Sequence, residues 1–347
     1  MSDPQFEHAP GNSEDAGEPS AAPSQPAAWP RTASAAALTT LRQHAAATAP
    51  WVSEPVPLGQ IEPLHQMRIA IRRLEAALRL FEHLLPRDLS TQREPLRRVL
   101  RALGEVRDHD VQLLCLEDFS AGVSNRDREA FESLTSRLQR MRARAATRFG
   151  RVLATAAVRR LPARLGRALQ CREIRTPAGR QAGREVVATL IRARRRRLRK
   201  VTDRLRIDSP AELFHKARRR AKHLDYAIAD FAPQLGDAAG DCLRVLQRLR
   251  NHLGALQDAE VARKQFVALG ATRGPGRVEH VLLGRLVEHQ RARAADARRR
   301  SLRAVRALRG KRWQRLARAL GPSIALAAAA ATAARAAPLN ARARLAQ

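Results

Sequence analysis

An all-helical protein, made of two copies of one module around a basic groove, is predicted by three observations. Ala, Leu and Arg, all strong helix formers, recur along the chain, while aromatic residues make up only 3% of it. The prolines after residue 64 are spaced so that long stretches free of helix breakers lie between them. The sequence also matches itself, without gaps, at an offset of 150 residues.

With 347 residues, 44% of them apolar, the chain can bury a sizeable core and cannot be wholly disordered. The net charge is +32, and of the 65 basic residues five are lysine (Lys200, Lys216, Lys222, Lys264, Lys311), leaving 60 arginines. Arginine keeps its charge and offers a planar fork that meets phosphate oxygens two at a time, so the excess points to phosphate. GC-rich coding also inflates arginine, so position along the chain must carry the argument. Cys115, Cys171 and Cys242 have no metal-ligand spacing and are odd in number, which argues against a disulfide framework or a zinc finger.

Residues 1–35 read as a disordered leader. Its first 30 residues hold Asp3, Glu7, Glu14, Asp15 and Glu18 and no Lys or Arg, so the remainder carries +37. Residues 36–320 form the helical part, with a first repeat at 36–180 and a second at 184–320; residues 321–347 are an Ala-rich tail. No charged segment followed by an apolar one opens the chain, and Ile324–Ala334 is too short to span a bilayer. A cytoplasmic location and no membrane partner are expected. Oligomeric state is not legible.

The predicted helices are 37–49, 64–85, 96–118, 127–160, 184–206, 211–231, 240–268 and 278–309, with a short one at 312–320. In the second, Leu64, Met67, Ile71, Leu74, Leu78, Phe81 and Leu85 fall on one face at three- and four-residue steps. His65, Arg68, Arg72 and Arg79 form a basic stripe beside it. Ser209, Pro210 and Glu212 read as a capping box with proline at the first helical position.

At the 150-residue offset His65 meets His215, Arg68 meets Arg218, Phe81 meets Phe231, Leu103-Gly104 meets Leu253-Gly254, and Asp108 meets Asp258. Arg72 meets Lys222, which keeps the charge. Compositional bias pairs Ala with Ala and Arg with Arg; it does not pair His, Phe, Gly and Asp at one offset. Each repeat therefore supplies about four helices needing mutual burial, for which a four-helix bundle is the natural arrangement. Two pseudo-symmetric bundles would bring the two stripes together in a central groove or channel.

The segments LHQMRIAIRRLEAALRLF (64–81) and LGEVRDHDV (103–111), then FHKARRRAKHLDYAIADF (214–231) and LGALQDAEV (253–261), resemble the two halves of the CHAD domain, the conserved histidine α-helical domain. The resemblance implies two pseudo-symmetric helical bundles enclosing a basic cavity that binds inorganic polyphosphate, often at polyphosphate granules. It implies His65, Arg68, Arg72, Arg73, Arg79, His215, Arg218, Arg219 and Lys222 as the ligand-facing residues.

A linear phosphate chain has no bases to read, so recognition must rest on guanidinium and ammonium groups in a fixed row. The bland alternative is a solvated basic face, and duplication of the stripe weighs against it. His65 and His215 are either donors to phosphate or satisfied histidines at a seam. Arg97, Arg101, Arg194 and Arg197 are additional candidates, Arg194 and Arg197 lying in the basic run from Arg192 to Lys200. That run reads equally as a nucleic-acid patch or a solvated helix. Gly104 and Gly254 are expected to permit close helix approach, and Asp108 and Asp258 to brace arginines. A metal site from Asp108, Asp110 and a histidine is the weaker reading of that region, and no cofactor is expected. Trp313 reads as packing for the last helix.

Binding of polyphosphate without catalysis is the leading expectation. Nucleic-acid backbone binding is the first alternative, weakened by the scarcity of aromatics for stacking. A metal-dependent phosphohydrolase is third: neither a Gly-rich phosphate loop, a nucleophile triad nor an alternating Glu-x-Glu-x-Lys strand occurs.

Overall fold

The computed structural model describes residues 26–54, 56–272 and 276–321. They form thirteen α-helices in chain order: α1 (Ala33–Ser53), α2 (Ile61–Leu80), α3 (Arg87–Thr91), α4 (Arg93–Ser120), α5 (Arg128–Leu153), α6 (Ala156–Arg159), α7 (Leu161–Leu169), α8 (Gly183–Thr202), α9 (Ala211–Ala229), α10 (Ala232–Leu235), α11 (Asp237–Gly270), α12 (Arg277–Ala307) and α13 (Lys311–Leu320). A 3-10 turn at Asn125–Asp127 precedes α5. The one β-type pairing among the described residues is an antiparallel bridge between Thr32 and Ala182. No described helix is long and apolar enough to cross a membrane.

The apolar stripe of α2 is core: Leu64, Met67, Ile71, Leu74 and Leu78 are each at most 2% exposed. Burial of side chains this size contributes roughly 1.5–3 kcal/mol each, which is what holds a helix carrying four arginines in place. The helix stops at Leu80, with Phe81 buried at its C-cap, and Leu84 rather than Leu85 takes the next fully buried position.

Several expected boundaries move. The 127–160 segment is two helices, because the chain turns to extended geometry at Thr155 before α6. Pro162 opens α7 instead of separating helices, a position where its missing N–H costs nothing. The capping box at Ser209 does not form: Pro210 is the N-cap of α9, and the Ser209 hydroxyl accepts a hydrogen bond from the Arg206 N–H at 2.8 Å. The end of the leader is packed. Trp29 stacks on Phe231 with centroids 6.1 Å apart, the Ala27 N–H donates to the Pro233 carbonyl at 2.8 Å, and Thr32 caps α1 through Ala35 N–H. Residues 1–25 and the tail from 322 lie outside the described residues.

The apolar interior does not divide into two bundles. One continuous core takes residues from α1, α2 and α4 together with α8, α9, α11 and α13. A second core joins the outer ends of the α4–α5 and α11–α12 hairpins, packing Cys115, Leu134 and Leu138 with Ala262, Phe266 and Leu286. Helices from both halves thus bury one another, and α2, α4, α9 and α11 meet at the centre. At the junction of the halves glycine is required at 183, because a Cβ there would lie 2.2 Å from the Pro30 carbonyl oxygen.

Candidate functional site

Where α2, α4, α9 and α11 meet, they leave a cavity of about 80 Å³. Each helix turns one polar edge into it while its apolar stripe faces the core. α2 contributes His65, Arg68, Arg72 and Arg73; α4 contributes Arg107 and Asp108; α9 contributes Arg218 and Lys222; α11 contributes Arg250, Gly254, Gln257 and Asp258. Seven cations therefore line the cavity against two carboxylates.

The electrostatics follow from that ratio. Arg68 has its guanidinium pKa lowered to about 9, first by burial, then by Arg72, Arg218 and Arg107, with Asp108 acting the other way. Its Nε is buried without a hydrogen-bond partner among the described residues. Asp108 is raised above the ordinary carboxylate value, mainly by burial; Arg68 opposes the shift and Asp258 adds to it. A site with several crowded cations and few carboxylates is organised for an anion, whose arrival relieves the repulsion.

Arg250 is the best-positioned of the cations. Its guanidinium pairs with the buried Asp225 carboxylate, donates to Gln247 Oε1 at 3.2 Å and lies 5.6 Å from the centroid of Tyr226. Neither Arg250 nor Arg107 stood out in the sequence. Arg250 falls opposite Leu100 at the 150-residue offset and Arg107 opposite Gln257, so comparison of the halves hides both. Helical spacing does give a signal for Arg107, which lies one turn from Val111, another lining residue.

Of the expected residues, His65, Arg68, Arg72, Arg73, Arg218, Lys222, Asp108, Gly254 and Asp258 line the cavity. His215 and Arg219 do not. They face a neighbouring pocket walled by Phe214, Leu253 and Leu256, where His215 Nδ1 lies 3.0 Å from Gln257 Oε1, the residue whose side shared with the cavity separates the two spaces. Burial and Arg219 lower the His215 pKa. His65 and His215 are thus not in equivalent surroundings. Arg97 and Arg101 lie in the N-terminal turns of α4, two to three turns before Arg107, exposed, and pair with Glu75 at 3.5 Å and Glu94 at 2.9 Å. Arg79, Arg194 and Arg197 do not line the cavity either.

The glycines differ from expectation. A Cβ at Gly104 would meet nothing within 4 Å, so no close approach requires glycine there. At Gly254 it would meet the Arg218 guanidinium at 3.5 Å, ordinary contact that still places this position against the basic row. Asp110, a member of the weaker metal reading, is buried and accepts a hydrogen bond from Arg142 Nε at 2.6 Å. Among the described residues no group of three His, Cys, Asp or Glu side chains is placed to hold a metal ion. The run from Arg192 to Lys200 splits by helix face: Arg192 donates to the Gly321 carbonyl, Arg195 lies over the buried Trp313 ring at 4.9 Å, and Arg199 pairs with Asp203 at 3.3 Å.

Among solved structures the chain resembles PptA from Streptomyces chartreusis, with a TM-score of 0.63 and 20% identity over 79% of this chain and 99% of that one. It also resembles the CHAD domain from the plant Ricinus communis, with a TM-score of 0.61 and 21% identity over 84% and 98%. At such identities the likeness is one of fold. No curated protein matches the chain. The family model described as the CHAD domain matches residues 32–267, well over half of the sequence. The chain therefore belongs to the CHAD domain family, of which polyphosphate binding is a known property.

Proposed function

We propose that this chain binds inorganic polyphosphate in the central cavity, through a basic row duplicated between its halves, and that it does so without catalysing a reaction. The observation that carries the reading is the convergence of seven cations from four helices on a cavity holding two carboxylates. The scarcity of aromatic side chains on which bases could stack, 3% of the chain, favours a bare phosphate chain over a single-stranded nucleic acid. Support for the duplication comes from helix register. α1, α2 and α7 begin at residues 33, 61 and 161, and α8, α9 and α13 begin at 183, 211 and 311, each 150 residues later. The basic row of α2 then has its counterpart in Arg218 and Lys222 of α9. Attachment to polyphosphate granules in the cytoplasm is the cellular role that fits such binding.

The test is titration of the purified protein with long-chain polyphosphate and, in parallel, duplex DNA at physiological salt, using the wild type and Arg68→Ala/Arg218→Ala. Tight polyphosphate binding that collapses in the double variant, with weak DNA binding, is expected. Equal or stronger DNA binding, or unchanged affinity in the variant, overturns the reading. Orthophosphate release from polyphosphate by the pure protein overturns the non-catalytic part of it.

A further inference from the structure

Beside the central cavity lies a second space, of about 340 Å³, with walls of another kind. It runs between the first turns of α9 and the middle of α11, over a floor of Phe214, Leu253 and Leu256, each at most 2% exposed. Along α11 Leu253, Leu256, Glu260 and Lys264 recur at three- and four-residue steps, so one edge of the helix lines this space. The adjoining edge, with Arg250, Gly254 and Asp258, lines the cavity. Gln257 and Val261 belong to both linings, so the two spaces adjoin.

The floor is held from behind. The Arg298 guanidinium lies 5.1 Å from the centroid of Phe214 and donates to the Ser209 carbonyl at 2.8 Å and to Glu260 Oε1 at 3.4 Å. Glu260 also accepts from Arg263 at 3.2 Å, so its carboxylate is taken up. The rim is polar. His215 Nδ1 lies 3.0 Å from Gln257 Oε1; with Nδ1 donating there, the neutral imidazole keeps Nε2 as an acceptor, and the Gln257 amide keeps its N–H donors. An apolar space of this size with a few polar groups at its edge is what a small ligand occupies. A bare phosphate chain would leave the floor empty. An acyl chain would cover it but give the His215 and Gln257 edge nothing to bond. A flat heteroaromatic ring with N–H groups and ring nitrogens along its edge satisfies floor and rim together.

We propose that this space is a nucleobase pocket and that the chain binds a nucleoside oligophosphate across the two spaces. The base lies on Phe214, Leu253 and Leu256 with its edge against His215 and Gln257, and the phosphates pass Gln257 and Val261 to the cations of the central cavity. For the phosphates the inference rests on the cavity being a phosphate site; the base pocket stands on its own lining. Covering one base is worth about tenfold or more in affinity, so a nucleotide is distinguished from a bare oligophosphate of the same length.

Calorimetric titration of the full-length chain with ATP and, separately, with tripolyphosphate, at pH 7 and without divalent cations, tests this. Both ligands carry three phosphates and only ATP carries a base; charge alone favours tripolyphosphate, so a preference for ATP reports the pocket. The wild type is expected to bind ATP about tenfold or more tightly than tripolyphosphate. Ala211→Trp, which fills the space from α9, should bring ATP down to the tripolyphosphate value and leave tripolyphosphate unchanged. His215→Ala, at an exposed position, should fold as the wild type by circular dichroism and weaken ATP alone, by about threefold. Equal affinities for the two ligands on the wild type, or an ATP preference that survives both variants, overturns the base pocket. Arg72→Gln/Arg218→Gln should weaken both ligands by the same factor. If it changes neither while Ala211→Trp still removes the ATP preference, the pocket stands and the cavity reading fails instead.

Discussion

His44 Nε2 and Asp230 Oδ1 lie 2.8 Å apart, with both side chains under 10% exposed, in the seam between α1 and the C-cap of α9. The residues are 186 positions apart and belong to different halves. Their contact ties the halves together.

His44→Ala should therefore lower stability by about 1–3 kcal/mol, because it leaves Asp230 buried and unpaired. Differential scanning calorimetry would show the melting temperature falling by several degrees. A melt unchanged within a degree would mean that the pair contributes nothing.

Arg68 is predicted to oppose folding while serving the ligand. Its folded pKa of about 9 lies well below the ordinary guanidinium value, so the unfolded chain holds the proton more tightly. Its charge costs stability fully below pH 9, and the cost fades as pH rises above 9. Arg68→Met keeps the length of the side chain and should raise the melting temperature of the ligand-free protein at pH 7 by a few degrees while weakening polyphosphate binding. A lower melting temperature in Arg68→Met would refute the assignment of strain to this residue.

Part of the pH dependence of stability should run through His223, which burial, and after it Arg79, Arg194 and Arg220 against Glu75, hold neutral. Its folded pKa of about 4 is depressed from 6.5, so the ligand-free protein loses stability as pH falls from 6.5 toward 4, by about 1–2 kcal/mol after allowance for its partial exposure. His223→Gln should flatten this loss of stability between pH 6.5 and 4, measured by denaturant unfolding at each pH. Identical profiles for the two proteins would rule His223 out.

Arg142→Ala should be among the most damaging single changes. It leaves Asp110, 2% exposed at its side chain, as an uncompensated buried carboxylate, at a cost of roughly 3–5 kcal/mol. Denaturant unfolding measures the loss. Protein treated with a chelator should unfold at the same denaturant concentration as untreated protein, since Asp110 is taken up by arginine; a shift on chelation would restore the metal reading.

Most of the helices were legible because their apolar periodicity is strong, as in Leu64, Met67, Ile71, Leu74 and Leu78 of α2. Boundaries lacking a chemical signal were not. The break at Thr155 has no proline or glycine to mark it, and Ser209 had two hydrogen-bonding options, of which the Arg206 N–H prevailed. The cavity was legible where both halves keep a residue, as with Arg68 and Arg218, and hidden where only one half carries it, as with Arg250.

Sequence alone determined the helical class, the basic charge, the family and the core of the basic row, because these depend on composition, on periodicity within one helix and on residues kept at a constant offset. Tertiary structure decided how the cations divide. The crossing of α2 with α9 sends Arg72 and Arg218 into one space and leaves Arg79, Arg220 and His215 outside it. Which side chains meet across helices depends on packing angles and rotations, and those are set by burial of the shared core, to which a charge pattern along one helix is blind.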